Sequence, residues 1–93
     1  MLTNEERERW AEVFGSLASE ARLRIVEMLA GGRLQCQEIL GKMPLSQPAI
    51  SYHLAKLERA GVVVKERRGV RNCYRLSSDV RFLTRLLSKR EGR

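Results

Sequence analysis

Apolar residues in the first two thirds of the chain recur three or four positions apart, as they do along one face of a helix. This spacing predicts a first helix over 4–17, and a second one that begins after Ser19 and ends at Gly31. It also predicts a third helix over 34–42 and a fourth over 47–60, with a short turn between them. The pattern therefore describes a chain that begins as four amphipathic helices.

After Gly61 the apolar pattern changes to alternation, which is typical of strands. Two β-type runs, 62–64 and 72–76, are joined across 67–71 and predict a hairpin with glycine at its turn. We call this hairpin, residues 62–76, the wing. Helical spacing then returns and predicts a last helix over 79–90. We therefore expect one domain over 1–93 of the α+β class, mainly helical, with four helices, a β-hairpin and a C-terminal helix.

Residues 34–60 have the pattern of a helix-turn-helix, in which the second helix enters the major groove of DNA. The outward face of that helix carries amide and hydroxyl groups near its start and cations further along. An alternative is that Gln47 is a plain first-turn residue, and another is that His53 is half-buried. The candidates for reading bases are Gln47, Ser51 and Tyr52, and those for holding phosphates are Ser46, His53, Lys56 and Arg59.

Positive charge is concentrated in the second half of the chain. The sequence has 18 Lys and Arg against 11 Asp and Glu, a net charge of +7, and residues 46–93 hold 12 of the basic and 4 of the acidic ones. Such asymmetry favours a polyanionic partner, and double-stranded DNA suits the helix-turn-helix. The alternative is that the charges protect an exposed hairpin edge from aggregation. The wing residues predicted to hold phosphates are Lys65, Arg67, Arg68 and Arg71.

The first and last helices carry more apolar surface than one small core can cover, which predicts a homodimer. The alternative is that both apolar stripes fold back within one chain. Arg81, Arg85 and Lys89 form a further stripe that neither DNA binding nor dimerisation explains. The residues predicted to form the dimer interface are Trp10, Val13, Phe14, Leu17, Val80, Leu83 and Leu87.

The sequence resembles the ArsR-type winged-helix transcriptional repressors. The resemblance runs through 17–26, 45–57, 60–63 and 67–76. It is most specific at 46–54, which reads Ser-Gln-Pro-Ala-Ile-Ser-Tyr-His-Leu. It implies a homodimer that is held by the first and last helices, binds a palindromic operator and is released by an effector, which the sequence does not identify.

Metal-sensing members of that family carry a Cys-x-Cys pair in the third helix, and this chain departs from the pattern. Gln35 and Gln37 stand at the two cysteine positions, with Cys36 between them. Thiolate chelation is lost there, so we expect no metal and no cofactor. A thiol-based redox switch that uses Cys36 and Cys73 is an alternative, because arginines beside Cys73 favour a thiolate. Inert thiols are the interpretation that we prefer.

Other functional classes lack the residues that they need. The sequence has no Gly-rich phosphate loop and no nucleophile–base pair, so we do not expect an enzyme. Five aromatic residues are too few for the stacking platform of an RNA binder. No apolar run reaches membrane-spanning length and the first residues do not resemble a secretion signal, so we expect a cytoplasmic protein. A winged-helix module that binds an acidic protein partner remains an alternative.

Overall fold

The computed structural model describes the backbone of residues 1–88 and the side chains of residues 1–85. The described part contains five helices and one three-stranded antiparallel sheet in the order β1-β3-β2. The α+β, mainly helical fold class is therefore confirmed. The elements are α1 Asn4–Ser16, α2 Glu20–Ala30, β1 Leu34–Gln35, α3 Cys36–Leu40, α4 Gln47–Arg59, β2 Val63–Arg68, β3 Arg71–Leu76 and α5 Ser78–Ser88.

The first, second and fourth helices begin where local capping chemistry places them. Thr3 and Glu6 form a capping box, in which Glu6 N–H donates to Thr3 Oγ1 over 3.1 Å and Thr3 N–H donates to Glu6 Oε1 over 2.8 Å. Ser19 Oγ accepts from Arg22 N–H, and Ser46 Oγ accepts from Ala49 N–H, each over 3.3 Å. The predicted starts of these helices are confirmed.

The third helix is shorter than the sequence predicts. Helix α3 covers Cys36–Leu40 rather than 34–42, because Leu34 and Gln35 pair with β3 as the short strand β1. Leu34 lies opposite Tyr74, and Gln35 lies opposite Cys73. A strand of two residues has no periodicity to detect, and it forms only because β3 lies beside it. The sheet consequently has three strands rather than the two of a simple hairpin.

The buried residues form one core beneath the helix-turn-helix and the inner face of the sheet. Val13 of α1 and Val80 of α5 belong to it, and each is 1% exposed within the single chain. Their assignment to a dimer interface is wrong, because helices α2 and α4 of the same chain already cover the faces that carry them. The side chains enclosed at the centre of the core are Ile25, Leu29, Ile39, Ile50, Leu54, Leu57 and Val62.

The wing is a longer ribbon with a tighter turn than the sequence predicts. Strands β2 and β3 pair over their whole length, from Val63 opposite Leu76 to Arg68 opposite Arg71. Only Gly69 and Val70 connect them, and Gly69 has φ +66°, a left-handed conformation that glycine adopts without strain. This short turn holds the side chains at the tip of the wing close to one another.

Helix α5 covers Ser78–Ser88, where a helix over 79–90 is predicted. The side chain of Leu87, predicted at the dimer interface, and the whole of Lys89 lie outside the described residues. No helix in the described part of the chain is long and apolar enough to cross a membrane.

Candidate nucleic-acid interface

Helix α4 presents a polar face because its apolar residues are held inside. Ile50 and Leu54 are enclosed in the core, and Met43 in the turn before the helix is also buried. Proline in the first turn of α4 costs no hydrogen bond, because the N–H groups there have no partner within the helix. The three predicted base-reading residues, Gln47, Ser51 and Tyr52, are all exposed on this face.

Aromatic and cationic side chains lie close together on the middle of α4. The Lys56 ammonium is 5.7 Å from the centre of the Tyr52 ring, within the range of a cation–π contact. The Tyr52 and His53 rings meet edge to face with centroids 5.4 Å apart. Arg59 is exposed in the last turn of the helix. The helix therefore carries polar groups at its start, which suit base edges, and cations towards its end, which suit phosphates.

His53 is half-buried and lies against helix α2. Its Nδ1 is 3.2 Å from Arg22 Nη1, and Arg22 Nε also donates to the Ser16 carbonyl over 2.6 Å. A guanidinium can only donate, so Nδ1 accepts and the ring proton of neutral His53 resides on Nε2. Burial, and then the charge of Arg22, lower the pKa of His53 from its usual 6.5. The ring predicted to hold a phosphate is thus a neutral donor at pH 7.

We expect His53 to titrate below pH 6.5 in the folded protein, because burial and Arg22 both oppose its protonation. It is the single histidine of the sequence, so its ring resonances can be followed by NMR without overlap from another imidazole. Folding stability linked to this group is present above pH 6.5 and is lost as the pH falls through the depressed pKa. Arg22→Gln should raise the midpoint part of the way, since burial is the larger cause. A midpoint at or above 6.5 in the wild type would contradict this arrangement.

The wing carries a second group of cations. Lys65, Arg67, Arg68 and Arg71 are all exposed. Arg67 Nε donates to the Gly69 carbonyl over 3.1 Å, and Arg71 Nη1 donates to Gln35 Oε1 over 3.0 Å. In the described part of the chain these four residues form no direct ion pair with a carboxylate. Their charge therefore remains available to an external anion.

The sheet also carries an ion-pair network that the sequence pattern does not identify. Glu66 binds Arg33 Nε over 3.1 Å with one carboxylate oxygen, and Arg75 Nε over 3.0 Å with the other. The hydrogen bond from Arg75 is the main reason that the pKa of Glu66 lies below its usual value. The alternation of β2 and β3 could have indicated this contact, but only once their register was known.

The two cysteines do not form an accessible pair. Cys73 is 5% exposed and lies between Gln35 and Glu66 in the sheet, whereas Cys36 is half-buried at the start of α3. Both are free thiols, and Gln35, the residue before Cys36, lies directly opposite Cys73. The burial of Cys73 favours the interpretation of inert thiols over a redox switch.

The described residues contain no group of three or more His, Cys, Asp and Glu side chains that could hold a metal ion. Gln35 N–H donates to Glu38 Oε1 over 2.7 Å, and its side-chain Oε1 accepts from Arg71 Nη1 over 3.0 Å. Gln35, one of the two glutamines at the Cys-x-Cys positions, thus links the start of α3 to the wing.

Known proteins resemble this chain along most of its length. It is 34% identical to an HTH-type transcriptional regulator of Methanocaldococcus jannaschii over 81% of this chain and 85% of that one. Among solved structures, HlyU from Vibrio cholerae matches with a TM-score of 0.86 at 29% identity, covering 98% of this chain and 100% of that one.

A homodimeric winged helix-turn-helix DNA-binding domain from Mycobacterium bovis, described as a possible ArsR-family regulator, matches with a TM-score of 0.83. It is 27% identical to this chain and covers 94% of it, with 84% of that domain aligned. The model of the bacterial regulatory proteins of the arsR family matches residues 19–65, which contain the helix-turn-helix. The expectation of a winged-helix regulator rather than an enzyme is confirmed by these similarities. The chain belongs to the arsR family of bacterial regulatory proteins and is a DNA-binding regulator.

Proposed function

We propose that the protein is a homodimeric repressor that binds a palindromic operator in double-stranded DNA and is released by an effector. The observation that carries the proposal is the exposed polar face of α4 together with the exposed wing cations, which lack carboxylate partners within the described residues. DNA phosphates provide the negative charge that would balance those cations, and the base edges in the groove provide hydrogen-bond partners for the polar groups of α4. An operator that overlaps a promoter would then be closed to transcription while the protein is bound.

Three side chains of α4 are proposed to read the bases. Gln47 can make two hydrogen bonds to an adenine edge, and Ser51 can donate to or accept from any base. Tyr52 can pack on a thymine methyl group or donate to a phosphate, and its contact with Lys56 holds the ring in place. All three are exposed in the first half of the helix, the part that reaches base edges when a recognition helix enters the major groove.

The remaining candidates are proposed to hold the phosphate backbone. Cations on α4 and on the wing would lie on either side of the groove that α4 enters. His53 would contribute through Nε2–H rather than through charge, because Arg22 occupies Nδ1. The proposed phosphate contacts are Ser46, His53, Lys56, Arg59, Lys65, Arg67, Arg68 and Arg71.

Apolar side chains that remain exposed on α1 and α5 are proposed to form the dimer interface. Phe14 is 55% exposed and Phe82 is 62% exposed, although both are large hydrophobic residues. Trp10 is half-buried with its ring centroid 5.9 Å from that of Phe14, and Leu17 and Leu83 are also half-buried. A two-fold dimer would separate the two α4 helices by about 34 Å, which is one turn of DNA. The homodimeric assembly of the M. bovis relative supports this proposal.

Replacing Gln47 by alanine tests the base-reading role. On a duplex that the wild-type protein binds specifically, Gln47→Ala should cost about 1–3 kcal/mol and relax the preference at one position of each half-site. The measurement is the affinity for a panel of single-base variants of that duplex. Gln37→Ala is the matched control, because it removes the same exposed side chain from α3. If Gln47→Ala weakens specific and random duplexes equally, the role in base reading is wrong.

A further inference from the structure

A solvent-open depression with a volume of about 350 Å³, which we call the cavity, lies where strand β3 passes into helix α5. It is at the end of the wing opposite its tip, because Arg75 in the cavity is four residues along β3 from Arg71, or roughly 13 Å. It is therefore separate from the proposed DNA-binding surface. The cavity is lined by Arg33, Arg75, Leu76, Ser78 and Arg81.

The cavity has an excess of positive charge. Three guanidinium groups line it, and the neighbouring carboxylate is that of Glu66, which both Arg33 and Arg75 bind. Arg75 also donates to the Leu76 carbonyl over 3.4 Å, which orients it at the wall of the cavity. Arg81 forms no ion pair with a carboxylate among the described residues. Three positive charges and one negative charge give the cavity a net positive charge, which a bound anion would balance.

The start of α5 adds to the positive electrostatic potential at the cavity. The helix is eleven residues long, and its first-turn N–H groups lie at the positive end of its dipole. Ser77 Oγ is shielded from solvent and has no hydrogen-bond partner in the described part of the chain, so it does not cap the helix. Asp79, the acidic residue of the first turn, binds Arg9 Nη2 over 2.6 Å instead. The charge of Asp79 is therefore shared between Arg9 and the start of α5.

We propose that this cavity is a binding site for a small organic anion that carries two or more carboxylate or phosphate groups. Guanidinium groups recognise both kinds of oxyanion with paired hydrogen bonds, and a helix N-terminus favours the same charge. The volume is in the lower part of the range for small-molecule sites. The site also gives a role to Arg81, which neither DNA binding nor dimerisation explains.

Calorimetric titration in the absence of DNA tests the site, with citrate as the carboxylate probe and pyrophosphate as the phosphate probe at constant ionic strength. We expect at least one probe to bind saturably with one site per chain, and the stronger probe indicates the class of ligand. Arg81→Gln should weaken that binding about tenfold or more, since it removes a charge-assisted contact. Arg33→Gln should act in the same direction. Arg24→Gln is the matched control, because Arg24 is exposed on α2, and it should bind as the wild type does.

Three results would overturn the proposal. The first is that neither probe binds saturably, and the second is that Arg81→Gln and Arg33→Gln bind as the wild type does. The third is that Arg68→Gln weakens binding while Arg81→Gln does not, which would place the anion at the tip of the wing. Because no DNA is present, none of these results bears on the proposed repressor function.

Discussion

Replacing Arg67, Arg68 and Arg71 together by glutamine should weaken DNA binding by about two orders of magnitude or more at 0.1 M salt, to a similar extent for every sequence. These residues are exposed at the tip of the wing without direct carboxylate partners in the described part of the chain. Each phosphate contact releases counterions and adds about 0.9 to the slope of log affinity against log salt. A dimer that loses six such contacts should therefore lose a slope of about 5. Fluorescence anisotropy at several salt concentrations measures both quantities.

The control for this triple variant removes positive charge from elsewhere on the surface. Arg7→Gln combined with Arg24→Gln changes two exposed arginines on α1 and α2 and should leave the slope almost unchanged. An unchanged slope in the wing variant would show that its arginines do not contact phosphates. Aggregation of that variant with normal DNA affinity would favour the alternative role, in which the charges protect the edge of the hairpin.

Leu57→Ala should destabilise the protein by about 2–5 kcal/mol, which is a large part of the margin of a small domain. Leu57 is enclosed in the core on the inner side of α4, so its removal leaves a cavity beneath the recognition helix. The thermal midpoint should fall by about 10 °C or more in a circular-dichroism melt. Binding to all DNA sequences should be lost together as α4 loses its support.

Val70→Ala is the control for the core variant, because it also removes apolar atoms but from a side chain that is 85% exposed at the tip of the wing. Its effect should stay within about 0.5 kcal/mol. A destabilisation below about 1 kcal/mol for Leu57→Ala would mean that the core does not support α4 through this side chain.

Features that depend on neighbours along the chain could be predicted from the sequence. Thr3, Ser19 and Ser46 cap helices through groups three residues away, so their side chains indicate where those helices begin. The exposed face of α4 follows from helical spacing alone, because placing Ile50 and Leu54 inside leaves Tyr52 on the opposite side. Local capping and periodicity therefore account for the recognition helix.

Features that depend on distant partners could not be predicted in this way. Strand β1 exists because Leu34 meets Tyr74, and a pattern of two residues carries no signal. The contact between Arg22 and His53 joins residues 31 positions apart. An apolar stripe likewise shows which face of a helix is to be buried. It does not show whether the same chain or a partner chain buries it. Val13 and Val80 are covered within the chain, whereas Phe14 and Phe82 remain exposed.

Selection of bound duplexes from a random library tests most directly whether the protein is a dimeric, sequence-specific repressor. The wild-type protein should enrich a two-fold symmetric sequence whose half-site centres are about 10 base pairs apart, or a multiple of one helical turn. The enriched duplex should bind at least about 10³-fold more tightly than random duplex at physiological salt. Retention of duplexes with no enriched palindrome, and with equal affinity for all sequences, would contradict the proposed function.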